Sequence, residues 1–387
     1  MAKKYKELLG LKIKQIECFH LSNSYANRVG NSLTWFNGKY SHILKIKTDD
    51  GIIGYGEAYA IKSKELFEAL DSLIRQLKDY EFKTWGELSD VLNHRKAAST
   101  TQDVENIIRS AFNMAFWDIQ GKTQNKSICE LFGKKPKQNI QVYGTGLFYR
   151  DVVSYNDQLP YFLEEIHQFS EVGYHGIKMK AGKYPVDQET WLIKAVREVL
   201  PPSMKLMVDA NCGMKSFHET KELMKHLEHM EVTWLEEPFA PNAYEMYEEL
   251  CKTNPKIPIA AGENAENLDE FKRLIDAGVS IIQPELSRCG GFELVPDLIN
   301  LAKQHNVSLT PHVWGSGVLY SAALQFYSLL DQEDPLLFEC PFVKDPIRDD
   351  CFYNFRVDGG MIHCPQKPGL GVEINEELFD RFLVNHI

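Results

Sequence analysis

From residue 180 onward, seven ionisable positions punctuate this chain at intervals of 22 to 29 residues: Lys180, Asp209, Glu236, Glu263, Glu285, His312 and Glu339. Each stands at the end of a short apolar run, and Lys178 stands two residues before the first of them. Strand side chains two apart point to the same side, so "GIKMK" aims two ammonium groups together. Asp209, Glu236 and Glu263 close three consecutive runs. Gathered carboxylates repel one another and raise their own pKa values unless a cation lies among them, and a hard divalent ion such as Mg²⁺ takes oxygen ligands of this kind. A lone strand-end acid is commonly a surface carboxylate, whereas three in register point to a shared site. Buried ammonium groups need acidic partners or a task. A lysine whose pKa is lowered by a like charge or a metal becomes a base near neutral pH, so one lysine would neutralise a bound anion while the other removes a proton. The alternative is a pair of lysines running out to water from an edge strand. Glu285 and His312 close neighbouring runs. A carboxylate bonded to one imidazole nitrogen fixes the tautomer and raises the basicity of the other, which supplies a second acid or base opposite the lysines.

Such residues meet only on a scaffold that ends many strands at one place. The runs "IQVYGT", "GIKMK", "KLMVDA", "TWLEEP", "PIAAGE", "IIQPE", "SLTPH" and "LLFEC" alternate with helical stretches, and parallel strands are joined through crossover helices. A doubly wound sheet has the same alternation. Eight units favour an α/β fold of the (β/α)7β TIM-like barrel type, whose functional face lies at the C-terminal strand ends. Ahead of them, residues 11–60 alternate as an antiparallel meander with "DDG" as a hairpin turn. Residues 62–133 read as helices, most clearly "DVENIIRSAFNMAFWDIQGKTQ", with Asp103 as its cap and Gly121 near its end. The expected division is an α+β capping domain over 1–139, the barrel over 140–340, and a C-terminal segment over 341–387 that returns to the capping domain.

Composition narrows the classes. No apolar run approaches the ~20 residues of a membrane helix, and "MAKKYKELLG" carries charge without the apolar stretch of a secretory signal, so cytoplasm is the expected location. Eight cysteines are scattered without a CxxC pair, which favours isolated buried thiols over zinc ligands or disulfides. A net charge of −11, with no Lys/Arg block, disfavours nucleic acid as a partner.

Taken together, "KMK", "VDAN", "EEP", "GEN", "QPE" and "PHVWGSG" resemble the enolase superfamily, specifically its mandelate racemase subgroup, over essentially the whole chain. A Lys or His base working with Mg²⁺ is an established scheme of that superfamily. The resemblance implies Asp209, Glu236 and Glu263 as metal ligands, Lys180 as one base, and Lys178 as the group that neutralises a substrate carboxylate. It implies His312 with Glu285 as the opposite acid or base, and Glu339 as a hydrogen-bonding partner of the substrate carboxylate. Asn211, Glu237 and Trp314 from the same motifs are candidate substrate contacts. So are Asn27, Arg28, Asn31 and Trp35 of the capping stretch "NSYANRVGNSLTWFNGKYS", where they could meet hydroxyls. One departure is Glu285, where the subgroup usually has Asp; the extra methylene alters the reach to His312. The sixth strand also lacks the lysine base of muconate-lactonising enzymes and dipeptide epimerases, and those activities are not expected. Enolase itself and methylaspartate ammonia-lyase lack the KxK-plus-His pattern. The segments "QPELSRCGGF", "PHVWGSGVLYSAALQF", "PIRDD" and "PGLGVEI" look most like the galactarolactone cycloisomerase branch. The expected chemistry is Mg²⁺-dependent removal of the proton α to a carboxylate, then β-elimination on an acid sugar or its lactone, by a dehydratase or cycloisomerase. A racemase or epimerase of a 2-hydroxy acid, or a catalytically silent barrel, are the alternatives. A homo-oligomer is the expected assembly.

Overall fold

The computed structural model describes residues 13–59, 64–77, 82, 84–94, 101–331, 336–352 and 356–387. The charged N-terminal decapeptide lies outside the described residues, as do 11–12 of the first strand reading.

Two sheets organise the chain. The first begins as a meander of β1 (Ile13–Gly30), β2 (Trp35–Thr48) and β3 (Ile53–Ala58), all antiparallel. The reversal after β2 needs a left-handed residue, and Gly51 supplies it at φ 89°. Among the described residues four helices follow: α1 (Lys64–Leu77), α2 (Trp85–His94), α3 (Gln102–Thr123) and the one-turn α4 (Ile128–Leu131). β3 reads "GYGEA" because α3 lies directly on it: a Cβ at Gly56 would stand 1.9 Å from the Ala111 carbonyl oxygen. Thr101, not Asp103, is the N-cap of α3; Asp103 sits in the first turn and pairs with Arg288 of the barrel. Gly121 lies near the end of this helix, in its last turn, as expected, and also marks a close approach, since a Cβ there would meet Gly369 Cα at 2.5 Å.

The second sheet opens with β4 (Ile140–Thr145). The two-residue β5 (Tyr149–Arg150) then pairs with β1 of the capping sheet. Strands and helices alternate from there: α5 (Leu159–Val172), β6 (Gly176–Lys180), α6 (Val186–Val199), β7 (Lys205–Asp209), α7 (Phe217–His229), β8 (Leu235–Glu236), α8 (Tyr244–Lys252) and β9 (Ile259–Ala261). α9 (Leu268–Asp276), β10 (Ile281–Ile282), α10 (Val295–His305), β11 (Ser308–Leu309), α11 (Gly317–Tyr327) and β12 (Phe338–Pro341) complete the set. Eight parallel strands joined by seven helices run in the order β11-β10-β9-β8-β7-β6-β4-β12; among the described residues no ladder joins β11 to β12. This is the (β/α)7β arrangement, and because all its strands run one way their C-terminal ends share one face. Tyr143, Met207, Trp234, Ala260, Ile281 and Leu337 form a separate apolar cluster drawn from six of these strands or the residues just before them. The chain ends with α12 (Pro346–Asp349), β13 (Met361–Ile362) antiparallel to β4, α13 (Glu376–Phe382) and β14 (Leu383–His386) antiparallel to β1. No described helix is long and apolar enough to cross a membrane. All eight cysteines are free, six buried and two half-buried.

Candidate active site

β6 carries Lys178 and Lys180 into the barrel, both buried. Lys178 Nζ lies 2.6 Å from Glu236 Oε1 and 2.9 Å from Glu339 Oε1, and Lys180 Nζ lies 2.6 Å from Asp209 Oδ2. The alternative of lysines reaching out to water is therefore not what the fold adopts. Burial alone would lower the Lys178 pKa, yet the attraction of Glu236 and Glu339 outweighs it and holds the ammonium well above the ordinary lysine value. Lys178 keeps its charge.

Asp209 ends β7, Glu236 ends β8, and Glu263 lies two residues beyond β9. One oxygen from each falls within 4.8 Å of the others. The donors are all hard oxygens, which suits a divalent cation. Glu263 Oε2 also supports the fit: it is buried without a hydrogen-bond partner, and its 3.1 Å approach to His312 Nε2 is a charge contact without hydrogen-bond alignment. Burial pushes the Glu263 pKa up; His312 opposes that, and Asp209 and Glu236 add to it. Glu236 Oε2 accepts hydrogen bonds from Gln283 Nε2 at 2.8 Å and Trp234 Nε1 at 2.9 Å, which fixes the middle carboxylate of the three.

Glu285 lies three residues past β10 and His312 three past β11. Their dyad is formed: His312 Nδ1 is 2.9 Å from Glu285 Oε2. Ser287 donates to the other carboxylate oxygen through its N–H at 3.0 Å and its hydroxyl at 2.7 Å, so the longer glutamate arm is braced. Burial favours neutral imidazole, but the Glu263 and Glu339 carboxylates and the Glu285 hydrogen bond push its pKa up to about 10. Glu339, in β12, accepts from Val313 N at 3.0 Å and from the Thr145 hydroxyl. Burial would raise its pKa, and the positive charges of Lys178 and His312 hold it below the usual range.

The loops after β7 and β8 are strained. Asn211, Cys212 and Glu237 have φ of 41°, 61° and 39°, a conformation that side-chain-bearing residues keep only when their surroundings impose it. Asn211 N donates to Asp209 Oδ1 at 2.9 Å, and Asn211 Oδ1 is buried without a partner. Asn264 Nδ2 reaches both Glu237 oxygens at 3.1 Å, while burial and the neighbouring Glu263 and Asp209 raise the Glu237 pKa well above the usual range.

The capping hairpin stands over this mouth on different residues from those expected. Between the pairs Ser24↔Gly38 and Val29↔Phe36 the ladder is broken, leaving Tyr25 to Arg28 as a bulge. Asn31 closes the turn, its Oδ1 accepting from Leu33 N at 3.0 Å and Thr34 N at 2.7 Å, so that oxygen is spent on backbone. Arg28 and Trp35 are not brought to the carboxylates. The Trp35 ring centre lies 5.0 Å from the Arg28 guanidinium and 4.4 Å from Lys183 Nζ, and Arg28 pairs with Asp151. Asn27 and Arg28 instead line a cavity of about 980 Å³ bounded by the bulge, α5 and residues 342–346; none of the strand-end acids or bases lines it. Ser32 does touch the mouth: its hydroxyl donates to the Ala210 carbonyl at 2.7 Å and lies 3.1 Å from that of Asn211. Trp314 is half-buried with its ring 5.6 Å from Phe148, which in turn lies 4.9 Å from Lys180 Nζ.

Trp234, Gln283 and Thr145 are absent from the expected set. The first two carried a readable signal: each stands two residues before the acid that closes its apolar run, Glu236 or Glu285, and period-two alternation along those runs would set it on the same side as that acid. Phe148 and Ser32 lie in loops and had none.

Residues 32–133 match the model of the mandelate racemase/muconate lactonizing enzyme N-terminal domain, and residues 162–378 match the enolase C-terminal domain-like model. The chain belongs to the enolase superfamily. Within the superfamily it is 32% identical over 354 residues to D-galactarolactone cycloisomerase of Agrobacterium fabrum, covering 88% of this chain and 91% of that one. It is 28% identical over 347 residues to arabinonate dehydratase of Saccharolobus solfataricus, covering 87% and 89%. The crystal structure of 3,6-anhydro-D-galactonate cycloisomerase from Zobellia galactanivorans matches it with a TM-score of 0.80 at 29% identity, over 97% of this chain and all of that one. For an enzyme of this superfamily, the Asp209, Glu236 and Glu263 triad is suited to a divalent metal.

Proposed function

We propose that this protein removes the proton α to the carboxylate of an acid sugar or its lactone and expels the β oxygen, as a Mg²⁺-dependent dehydratase or cycloisomerase. One observation carries the reading: two chemically different proton-transfer groups stand on the outer members of the carboxylate triad, Lys180 on Asp209 and His312 on Glu263. Asp209, Glu236 and Glu263 would hold Mg²⁺, which when bound supplies positive charge against the negative charge that grows on the substrate as the proton leaves. Lys178 adds a fixed ammonium beside the same place, preorganised by Glu236 and Glu339. Lys180 takes the α proton. His312, with Glu285 behind it to stabilise the imidazolium, delivers a proton to the departing oxygen. Trp314 and Phe148 wall the lysine side, and Asn211 and Glu237 stand at the rim for substrate hydroxyls. The names of the relatives support an acid-sugar or lactone substrate.

The same two-sided arrangement also favours a second reading, a racemase or epimerase of a 2-hydroxy acid, in which the proton returns from the opposite face. A panel of acid sugars and lactones incubated with Mg²⁺ and followed by NMR decides. A new keto product is expected; inverted substrate without keto product selects the racemase, and unchanged substrate throughout indicates a silent barrel.

A further inference from the structure

The loop bearing His312 is gripped from outside the barrel. Lys39 and Ser41 of β2 share a face by strand alternation, and Glu57 lies on the adjacent strand, where it pairs with Ile43. All three are buried. Glu57 Oε1 accepts from Ser41 Oγ at 2.5 Å and Ser316 N at 2.8 Å; Oε2 accepts from Ser316 Oγ at 2.6 Å and Leu319 N at 3.0 Å. Ser316 is the N-cap of α11, so a capping-sheet carboxylate takes up N–H groups that a helix start leaves without partners. Lys39 Nζ donates to the Gly315 carbonyl at 2.9 Å, lies 3.4 Å from Asp345 Oδ2, and stands 4.7 Å from the centre of the Trp314 ring. Gly315 has no room for a side chain, since a Cβ would meet Leu319 Cδ2 at 2.5 Å and Glu57 Oε1 at 3.1 Å. At the barrel end of the loop, His312 N donates to the Pro284 carbonyl at 3.2 Å and Val313 N to Glu339. Only Val313 and Trp314 separate the imidazole from the residues that the capping sheet holds.

Burying two charges is a poor way to close an interface, because an apolar pair of similar volume is usually as stable or more so. What buried charges give is a defined geometry. We propose that Glu57 and Lys39 are positioning residues for His312: through Ser316 and Gly315 they fix the backbone on which the imidazole stands, so the capping sheet sets the alignment of the acid opposite Lys180. The inference rests on the acid/base role given to His312 above.

The test uses full-length protein labelled with 15N-histidine, as parent, Glu57→Gln, Lys39→Met and the milder Ser316→Ala. Imidazole 1H–15N spectra are recorded with the His312 signals assigned from those lost in His312→Asn, alongside kcat and KM on the substrate found in the panel. The ring signals of His312 are expected to shift in all three variants, with kcat reduced about 10- to 100-fold and KM unchanged, as befits slight misplacement of a reacting group. His312 signals identical to the parent in Glu57→Gln and Ser316→Ala overturn the inference, as does a loss of kcat no larger than the loss of folded protein. If Glu57→Gln does not fold, Ser316→Ala decides alone. Shifted signals in the variants of a parent that turns over no acid sugar would reject the functional reading and leave the positioning intact; normal parent turnover with unshifted variant signals would do the reverse.

Discussion

At the barrel mouth, Lys178, Asp209, Glu236 and Glu339 have side chains no more than 1% exposed, whereas Arg28 of the hairpin above them pairs with Asp151, just after β5, at 45% and 53% exposure. The contrast separates two kinds of electrostatics. Charges taken out of water interact strongly, shift one another's pKa values and carry a large desolvation cost, so each must be answered by another. Charges left in water are screened and worth little. At the mouth each buried charge is answered by another. The hairpin tip is tied down by backbone pairing with β5 and by the Ser32 hydroxyl, and the exposed Arg28–Asp151 pair is incidental to that attachment.

The sharpest way to break this contrast is at the mouth. Lys180→Ala and His312→Ala are each expected to cut turnover by about 10²- to 10⁴-fold, the usual worth of a positioned acid or base, while calorimetric Mg²⁺ binding persists. A loss below about tenfold in both would place proton transfer elsewhere. Next comes Gln283→Leu, which removes one of two donors from Glu236 Oε2. A drop of about 10- to 100-fold in metal affinity or activity is expected, and parent-like values for both would mean the outer partners of the triad do not matter.

Between the two regions stands Glu189 in the first turn of α6. It is buried, accepts from the Tyr149 hydroxyl at 2.6 Å and from Lys183 and Tyr184 N–H groups at 2.9 and 2.7 Å, and so joins the loop after β6 to β5. Burial pushes its pKa up to about 7 from 4.5, against the pull of those donors. The folded chain therefore holds this proton more tightly than the unfolded chain, so the stabilisation is complete below pH 4.5 and fades as pH rises through about 7. Urea unfolding of the parent is expected to show a loss on the order of 3 kcal/mol between pH 4.5 and 8 from this group, and Glu189→Gln to flatten that slope. An identical slope in the variant would remove Glu189 as its source.

Effects shrink on the hairpin. Ser32→Ala is expected to cost about 1 kcal/mol and to hasten proteolysis at the hairpin tip; unchanged cleavage would mean the contact with Ala210 does not hold the tip down. Arg28→Ala is expected to change stability by less than about 1 kcal/mol and to leave Mg²⁺ affinity alone. A tenfold effect on metal binding would erase the distinction between the two regions.

The same distinction decides what one sequence discloses. Strand ends are legible because period-two alternation and the crossover helix repeat at a regular spacing. Asp209 and Glu236 end their strands as expected, and Glu285 and His312 reach their dyad even though β10 and β11 are two residues each. Glu263 was placeable by interval although it lies beyond its strand. On the hairpin no such period operates. Asparagine suits a turn as well as a sugar hydroxyl, and only the break in the ladder between Ser24 and Val29 turns Arg28 away toward the 980 Å³ cavity. The Glu57 contact with Ser316 joins residues 259 apart, a pairing that neither composition nor periodicity encodes.

The most direct measurement is deuterium incorporation at the α carbon. Parent, Lys180→Ala and His312→Ala are each incubated with Mg²⁺ and the substrate in D₂O and followed by NMR. The account predicts α exchange and keto product in the parent, neither in Lys180→Ala, and exchange without appreciable product in His312→Ala. Undiminished exchange in Lys180→Ala would contradict it.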